Sequence, residues 1–300
     1  MESSMKRKSK TPWFFVSVCM LPALGLAFYF ILWPTVQVLW LSFTNARTLT
    51  YHSADFIGLE NYTYMFGDRR FIQALQNTLK LLAAAPVITI VNALLLAFMV
   101  TQSKLRERGF YRTVFFFPSI LSLTVIGVIW SFVFHPTMGL LNGFLGFMGA
   151  GEFTRAWAAE PTTAIWTIAV AFIWQSAGYF MVMHVAAIDG ISTEVYEAAT
   201  IDGAGPVRKL FSITLPLIKD IVGITFIFAV SGILDSSFAL SSVMTNGGPN
   251  GASTVLLMYI YNQGIRNGQF GYAMAITAFT LVMAVCLALI SRFITSRQEG

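Results

Sequence analysis

A few polar and aromatic side chains interrupt otherwise apolar runs, and these are the residues that could act on a ligand. Asp235 lies near the middle of one run, in VSGILDSSFALSS, with Ser236 beside it. At comparable depth in the preceding run stand Trp174, Gln175 and Tyr179, and Asn92 lies in the middle of a third. An ionisable side chain at that depth costs about 2.5–3.5 kcal/mol on insertion scales, so Asp235 is expected to face a cavity or a partner. Carboxylate, amide and hydroxyl groups hydrogen-bond the hydroxyls of a polyol, and an aromatic face covers its C–H surface. The set therefore suits binding of a neutral polyol. A plainer use competes at each position, because Ser, Asn and Gln also bond helix to helix in membranes.

No reaction centre can be assembled from the remaining residues. His52, His135 and His184 stand alone, and Cys19 and Cys286 lie in separate apolar runs without a ligand-spaced partner, where they read as packing residues. The chain has no Gly-x-x-x-x-Gly-Lys-Ser/Thr phosphate loop. We therefore expect no catalytic residue, no metal and no cofactor bound by this chain, and a carrier of ligands rather than an enzyme.

The elements that position these groups follow from composition. Of the 300 residues, 56% are hydrophobic and 11% charged, with a mean hydropathy of +0.69. That is too apolar for a soluble chain and predicts an all-α polytopic membrane protein. Apolar runs predict spans at about 13–43, 77–101, 113–134, 164–188, 221–243 and 271–293, in a single domain over 13–296 behind a basic tail, 1–12. The first run is too long for a signal-peptide core and is expected to remain as an uncleaved span, kinked or tilted by Pro22 and Pro34. The net charge of +5 reports topology here, not affinity for nucleic acid. On this reading 13 of the 19 Lys and Arg fall on one side, placing both termini and the 190–220 loop in the cytoplasm. Asn61-Tyr62-Thr63 is formally a glycosylation sequon in an outer loop.

The 190–220 loop is the most informative stretch. EAATIDGAGPVRKLFSITLP, Glu197–Pro216, has the grammar of helix, turn and helix: Ser192 or Thr193 as cap, a stop at Asp202-Gly203, and Pro206 opening a second helix. Glu197, Ala198, Ala199, Gly203, Ile213, Leu215 and Pro216 match, in register, the motif EAA, three residues, Gly, nine residues, Ile-x-Leu-Pro. In this the chain resembles the permease subunits of bacterial ABC importers. FIGLENYTYMF, TNGGP and the GYA entry to the last run resemble the carbohydrate-uptake kind, of the maltose, multiple-sugar and glycerol-phosphate type.

That resemblance implies a type I importer permease of six spans in the bacterial inner membrane, which moves a sugar by alternating access. It implies two cytoplasmic ATP-binding subunits that hold ATP and Mg, a second homologous permease and an external solute-binding protein. Glu197, Ala198, Ala199, Asp202, Gly203 and Ala204 would form the coupling helix and turn that the ATPase grips, with Val195, Ala198 and Ala199 packed in its groove. A permease for an amino acid or phosphate ester is the nearest alternative. An ion-coupled transporter working alone is a more distant one, since Asp235 is the only well-placed intramembrane acid.

Overall fold

The structure, a computed structural model, describes residues 13–47, 54–102 and 107–296. The basic tail, His52, Lys104, Arg106 and Arg297 lie outside the described residues. The chain is helical, in the order α1 (Trp13–Ala27), α2 (Trp33–Leu41), α3 (Glu60–Gly67), α4 (Arg69–Gln102), α5 (Arg108–Phe116), α6 (Leu123–Val133) and α7 (Leu140–Phe147). Then come α8 (Ala164–Asp189), α9 (Thr193–Ile201), α10 (Pro206–Lys209), α11 (Leu215–Leu217), α12 (Lys219–Met244), α13 (Leu256–Tyr261) and α14 (Phe270–Ser296). We call the end bearing α9 lower and the opposite end upper.

Among the described residues four helices are long and apolar enough to cross a membrane: Met20–Leu41, Arg69–Thr101, Ala164–Asp189 and Lys219–Met244. The apolar part of α14 described to side-chain level, Phe270–Cys286, is shorter. The third expected run is redrawn. Instead of one helix over 113–134, α5 and the 3-10 turn Phe117–Ile120 meet α6 at a bend of 100°. Pro118 cannot donate a helical bond, and Ser122 turns extended to cap α6, its hydroxyl accepting from Val125 N at 3.3 Å. The second run also starts higher than expected, at Arg69, because Asp68 caps it by accepting from Arg70 N at 2.9 Å.

Two prolines are each preceded by a widened helical turn. Pro34 and Pro216 each follow a π-helical turn, Phe28–Leu32 and Leu210–Thr214 respectively, at the same offset. The wider turn moves the carbonyl that the proline ring would strike, so the helix runs on through Pro34, whereas beyond Pro216 it reaches only Leu217 before the chain turns at Ile218 and α12 begins.

At the centre lies α8, whose most apolar window is 61% buried against 50% for α4, 22% for α12 and 6% for the first helix. It packs on α4 along most of its length and on α5, α6 and α12 elsewhere. The approach to the third run is close: a Cβ at Gly178 would sit 1.8 Å from the Phe115 carbonyl oxygen. Gly271 of the GYA entry is similar, with Thr44 O 2.0 Å from a built Cβ and its own N–H donating to Ala46 O at 2.8 Å. These glycines let backbone touch backbone, as small residues do between membrane helices.

The upper end is stitched by polar bonds. Asn61 is buried, and its amide donates to Ser42 O and Thr44 O at 2.9 Å each, so the formal sequon is a structural strut. The TNGGP loop folds back onto α4, where Asn77 Nδ2 donates to Gly251 O and Thr254 O at 3.0 Å each. Asn246, Gly247, Asn250 and Gly251 all have positive φ, which explains the Asn and Gly content of that loop.

Asp68 accepts from the Tyr259 hydroxyl and, at 2.8 Å, from that of Tyr272, joining α4, α13 and α14. Burial pushes the Asp68 carboxyl up, but bonds from the two tyrosines and from Arg70 N and Phe71 N outweigh it and hold it below its ordinary value. Burial and the neighbouring carboxylate push the Tyr259 phenol up. A depressed carboxylate adds stability above its unfolded pKa and loses it as pH falls through the folded pKa. The melting temperature of the purified protein should therefore drop as pH falls below about 4. Asp68→Asn should lower it at neutral pH and flatten that part of the curve; an unchanged curve would remove Asp68 from the account of the upper end.

Candidate functional site

A cavity within the bundle opens between α8, α12 and the bend of the third run. Gln175, Ser176 and Tyr179 reach it from one face of α8, Gly232 and Ser236 from successive turns of α12, and Ser119 from the 3-10 turn. Phe172, Phe180 and Phe228 complete the wall around a volume of about 300 Å3. Ser176 Oγ donates to Gln175 Oε1 at 2.9 Å, which fixes that amide and leaves its NH2 group to donate. No charged side chain lines the space. It offers amide and hydroxyl groups beside aromatic surface, a lining that recognises hydroxyls rather than charge.

Of the residues singled out from sequence, Gln175, Tyr179 and Ser236 meet here, and three do not. Asp235 points away from this cavity and is exposed on the chain's own surface. One residue along a helix turns the side chain by about 100°, so Ser236 faces in while its neighbour faces out. Trp174 packs edge-on against Trp130, their ring centroids 5.8 Å apart, and does not line the cavity. Asn92 is half-buried on α4, outside it. Sequence reading missed Ser119, because the two marks of the bend, Pro118 and the Ser122 cap, do not show which side chains it brings to α8. It also left His184 alone, whereas the fold buries it with Nε2 2.9 Å from Thr225 Oγ1. Cys286, read as packing, is exposed on α14.

At the lower end α9 is capped by Ser192, whose hydroxyl accepts from Glu194 N at 3.3 Å. It stops in a left-handed turn: Ala204 N donates to Ala199 O at 2.8 Å, Gly203 N to Thr200 O at 3.1 Å, and Gly203 has φ +73°. This is the Schellman arrangement, and it explains the glycine. Glu197, Ala198 and Asp202 are exposed and Ala204 is half-buried. Ala199 departs from the expectation of a partner-facing residue, being buried within its own chain. Tyr196, three residues earlier on the same face, bonds buried Thr214 through its hydroxyl at 2.9 Å, and that face of α9 turns inward. Val195, Ile201, Val207 and Phe211 remain exposed apolar surface on this loop. Among the described residues no cluster of His, Cys, Asp or Glu could hold a metal.

Residues 65–300 match the family described as binding-protein-dependent transport system inner membrane component. A diacetylchitobiose uptake system permease protein, NgcF of Streptomyces coelicolor, is 35% identical over 96% of this chain and 84% of its own. The sn-glycerol-3-phosphate transport system permease protein UgpA of Yersinia enterocolitica is 30% identical over 91% of this chain and 92% of its own. In fold the chain is similar to one from a bacterial ABC transporter involved in import of the acidic polysaccharide alginate. The TM-score is 0.82, at 22% identity, over 95% of this chain and 96% of that one.

Proposed function

The chain belongs to the family of binding-protein-dependent inner-membrane transport components, the permease subunits of ABC transporters, and on that premise we propose that it carries a neutral saccharide. Such subunits do no chemistry themselves, and ATP is hydrolysed by separate subunits. The observation that carries the cargo reading is the uncharged cavity between α8 and α12. Its Gln175, Ser176, Tyr179, Ser119 and Ser236 offer donors and acceptors for sugar hydroxyls, and its phenylalanines offer apolar surface for a ring. A phosphate ester would call for a cation, and no Lys or Arg lines this cavity. The diacetylchitobiose permease among the relatives supports the same reading.

In this account the lower end and both chain termini lie in the cytoplasm, as the distribution of Lys and Arg supports. A solute-binding protein delivers cargo at the upper face. Two ATP-binding subunits, with ATP and Mg, hold α9 through its exposed face, where Glu197, Ala198, Asp202 and Gly203 lie. Their closure on ATP opens the cavity to the upper side, and hydrolysis returns it to the lower. A second, homologous permease completes the pathway. Asp235 faces that partner across it, which gives the exposed carboxylate a polar setting inside the membrane.

Proteoliposomes with the complete importer test this. We expect ATP-dependent uptake of diacetylchitobiose, a neutral disaccharide, in preference to sn-glycerol 3-phosphate. Gln175→Ala should lower saccharide uptake about tenfold while the complex still assembles, as expected when a hydrogen-bonding group for a substrate hydroxyl is removed. Preference for the phosphate ester would refute the cargo reading, and uptake without the ATPase subunits would refute ABC coupling.

A further inference from the structure

The lower part of the broken third run is tied to α8 at two heights. Higher up, Gly178 admits the Phe115 backbone, as described. At the foot, Arg108 Nη2 donates to Asp189 Oδ1 at 2.5 Å and Arg112 Nη2 to Asp189 Oδ2 at 2.8 Å. The two arginines stand four residues apart, on one face of α5, and each takes its own carboxylate oxygen. Both Nε atoms are buried without a partner, so loss of the carboxylate would leave two partly desolvated cations facing each other. Asp189 is the last residue of α8, three before the Ser192 cap of α9, so the contact sits at the joint between the central helix and the coupling helix.

Resting on the coupling role of α9 above, we propose that Arg108, Arg112 and Asp189 are positioning residues for transport: an ionic clamp that makes α9, α8 and the α5 segment move as one piece. Two walls of the cavity belong to that piece, Gln175, Ser176 and Tyr179 on α8 and Ser119 at the top of the α5 segment. The third wall, Gly232 and Ser236, is on α12, which also packs against α6 beyond the 100° bend. A push on α9 then slides two walls together past the third, with the bend at Leu121–Ser122 as the yielding point. Without the clamp, α9 and α8 could move while the α5 segment lagged, and the cavity would deform instead of changing its side of access.

The test measures distances between spin labels in the assembled importer, with its partner permease, ATPase subunits and solute-binding protein, before and after adding ATP with vanadate. Cys19→Ser and Cys286→Ser clear the background. Labels go on Ile201→Cys paired with Phe117→Cys, within the proposed rigid piece, or with Phe132→Cys, beyond the bend; all three positions are exposed. We expect the 201–132 distance to shift by at least about 2 Å while 201–117 stays fixed. In Asp189→Asn the 201–117 distribution should broaden and shift with nucleotide, and in Asp189→Glu it should return toward the unsubstituted one. Arg112→Gln gives the same readout if Asp189→Asn does not assemble. A 201–117 distance that shifts in the unsubstituted protein, or that stays fixed in Asp189→Asn and Arg112→Gln, overturns the clamp alone. A 201–132 distance indifferent to nucleotide removes the coupling premise, and the clamp with it.

Discussion

Gly178→Ala is expected to lower the amount of folded, assembled importer several-fold and to depress its melting temperature. The added methyl would lie 1.8 Å from Phe115 O, 2.5 Å from Phe115 C and 2.9 Å from Phe116 Cα, all backbone atoms that cannot swing aside. Relief requires moving the whole α5 segment away from α8, and overpacking of this kind costs about 1–3 kcal/mol or more. Against a total stability of about 5–15 kcal/mol, that is a large fraction. Gly232→Ala is the matched control, since its methyl would meet Phe172 Cζ at an ordinary 3.6 Å. It should leave assembly intact and alter only the width of the cavity. Size-exclusion of the detergent-solubilised complex and a thermal scan separate the two variants. Equal behaviour would mean that the close approach at Gly178 is not what holds the third run to α8.

The second large effect concerns coupling and leaves folding nearly untouched. Gly203 has φ +73°, yet among the described residues nothing beyond its chain neighbours lies within 4 Å of a built Cβ. Aspartate there carries a strain of about 1–2 kcal/mol in the left-handed conformation, and it is among the residues that tolerate that region best. Gly203→Asp should therefore insert and fold. If the ATPase subunits close on this turn, the extra carboxylate meets them and not this chain. Uptake should fall at least about tenfold while ATP hydrolysis continues, so that more ATP is spent per molecule carried. Unchanged uptake and an unchanged ratio of hydrolysis to transport would place the coupling contact elsewhere.

Much of this architecture is legible in the sequence where local chemistry decides it. The Ser192 cap, the stop at Gly203 and the opening of α10 at Pro206 follow from residue types within a few positions of one another, and the fold realises all three. Long apolar runs mark the helices, because a backbone in lipid must bond to itself. What the sequence does not announce is decided by tertiary approach. Pro118 and Ser122 make the bend after the α5 segment locally, but which residues it carries to α8 is set by packing. Ala199 turns inward on the face where Tyr196 bonds Thr214, 18 residues on, beyond the reach of local pattern. Depth in a run identifies Asp235, Gln175 and Tyr179 as unusual, but depth says nothing about azimuth. Tyr179 and Ser236 consequently share a cavity from which Asp235, one residue along, is turned away. The clamp between Arg108, Arg112 and Asp189 joins residues about eighty positions apart, and no local pattern connects them.

Whether a motor holds this chain at α9 can be asked directly by photocrosslinking. Ile201, at the end of that helix, is 87% exposed, so a photoreactive phenylalanine derivative fits there without disturbing the core. In the assembled importer, illumination should join position 201 to an ATP-binding subunit, with a yield that changes when ATP and vanadate are added. Adducts formed only with lipid, or with the solute-binding protein on the other side of the membrane, would contradict the account at its root.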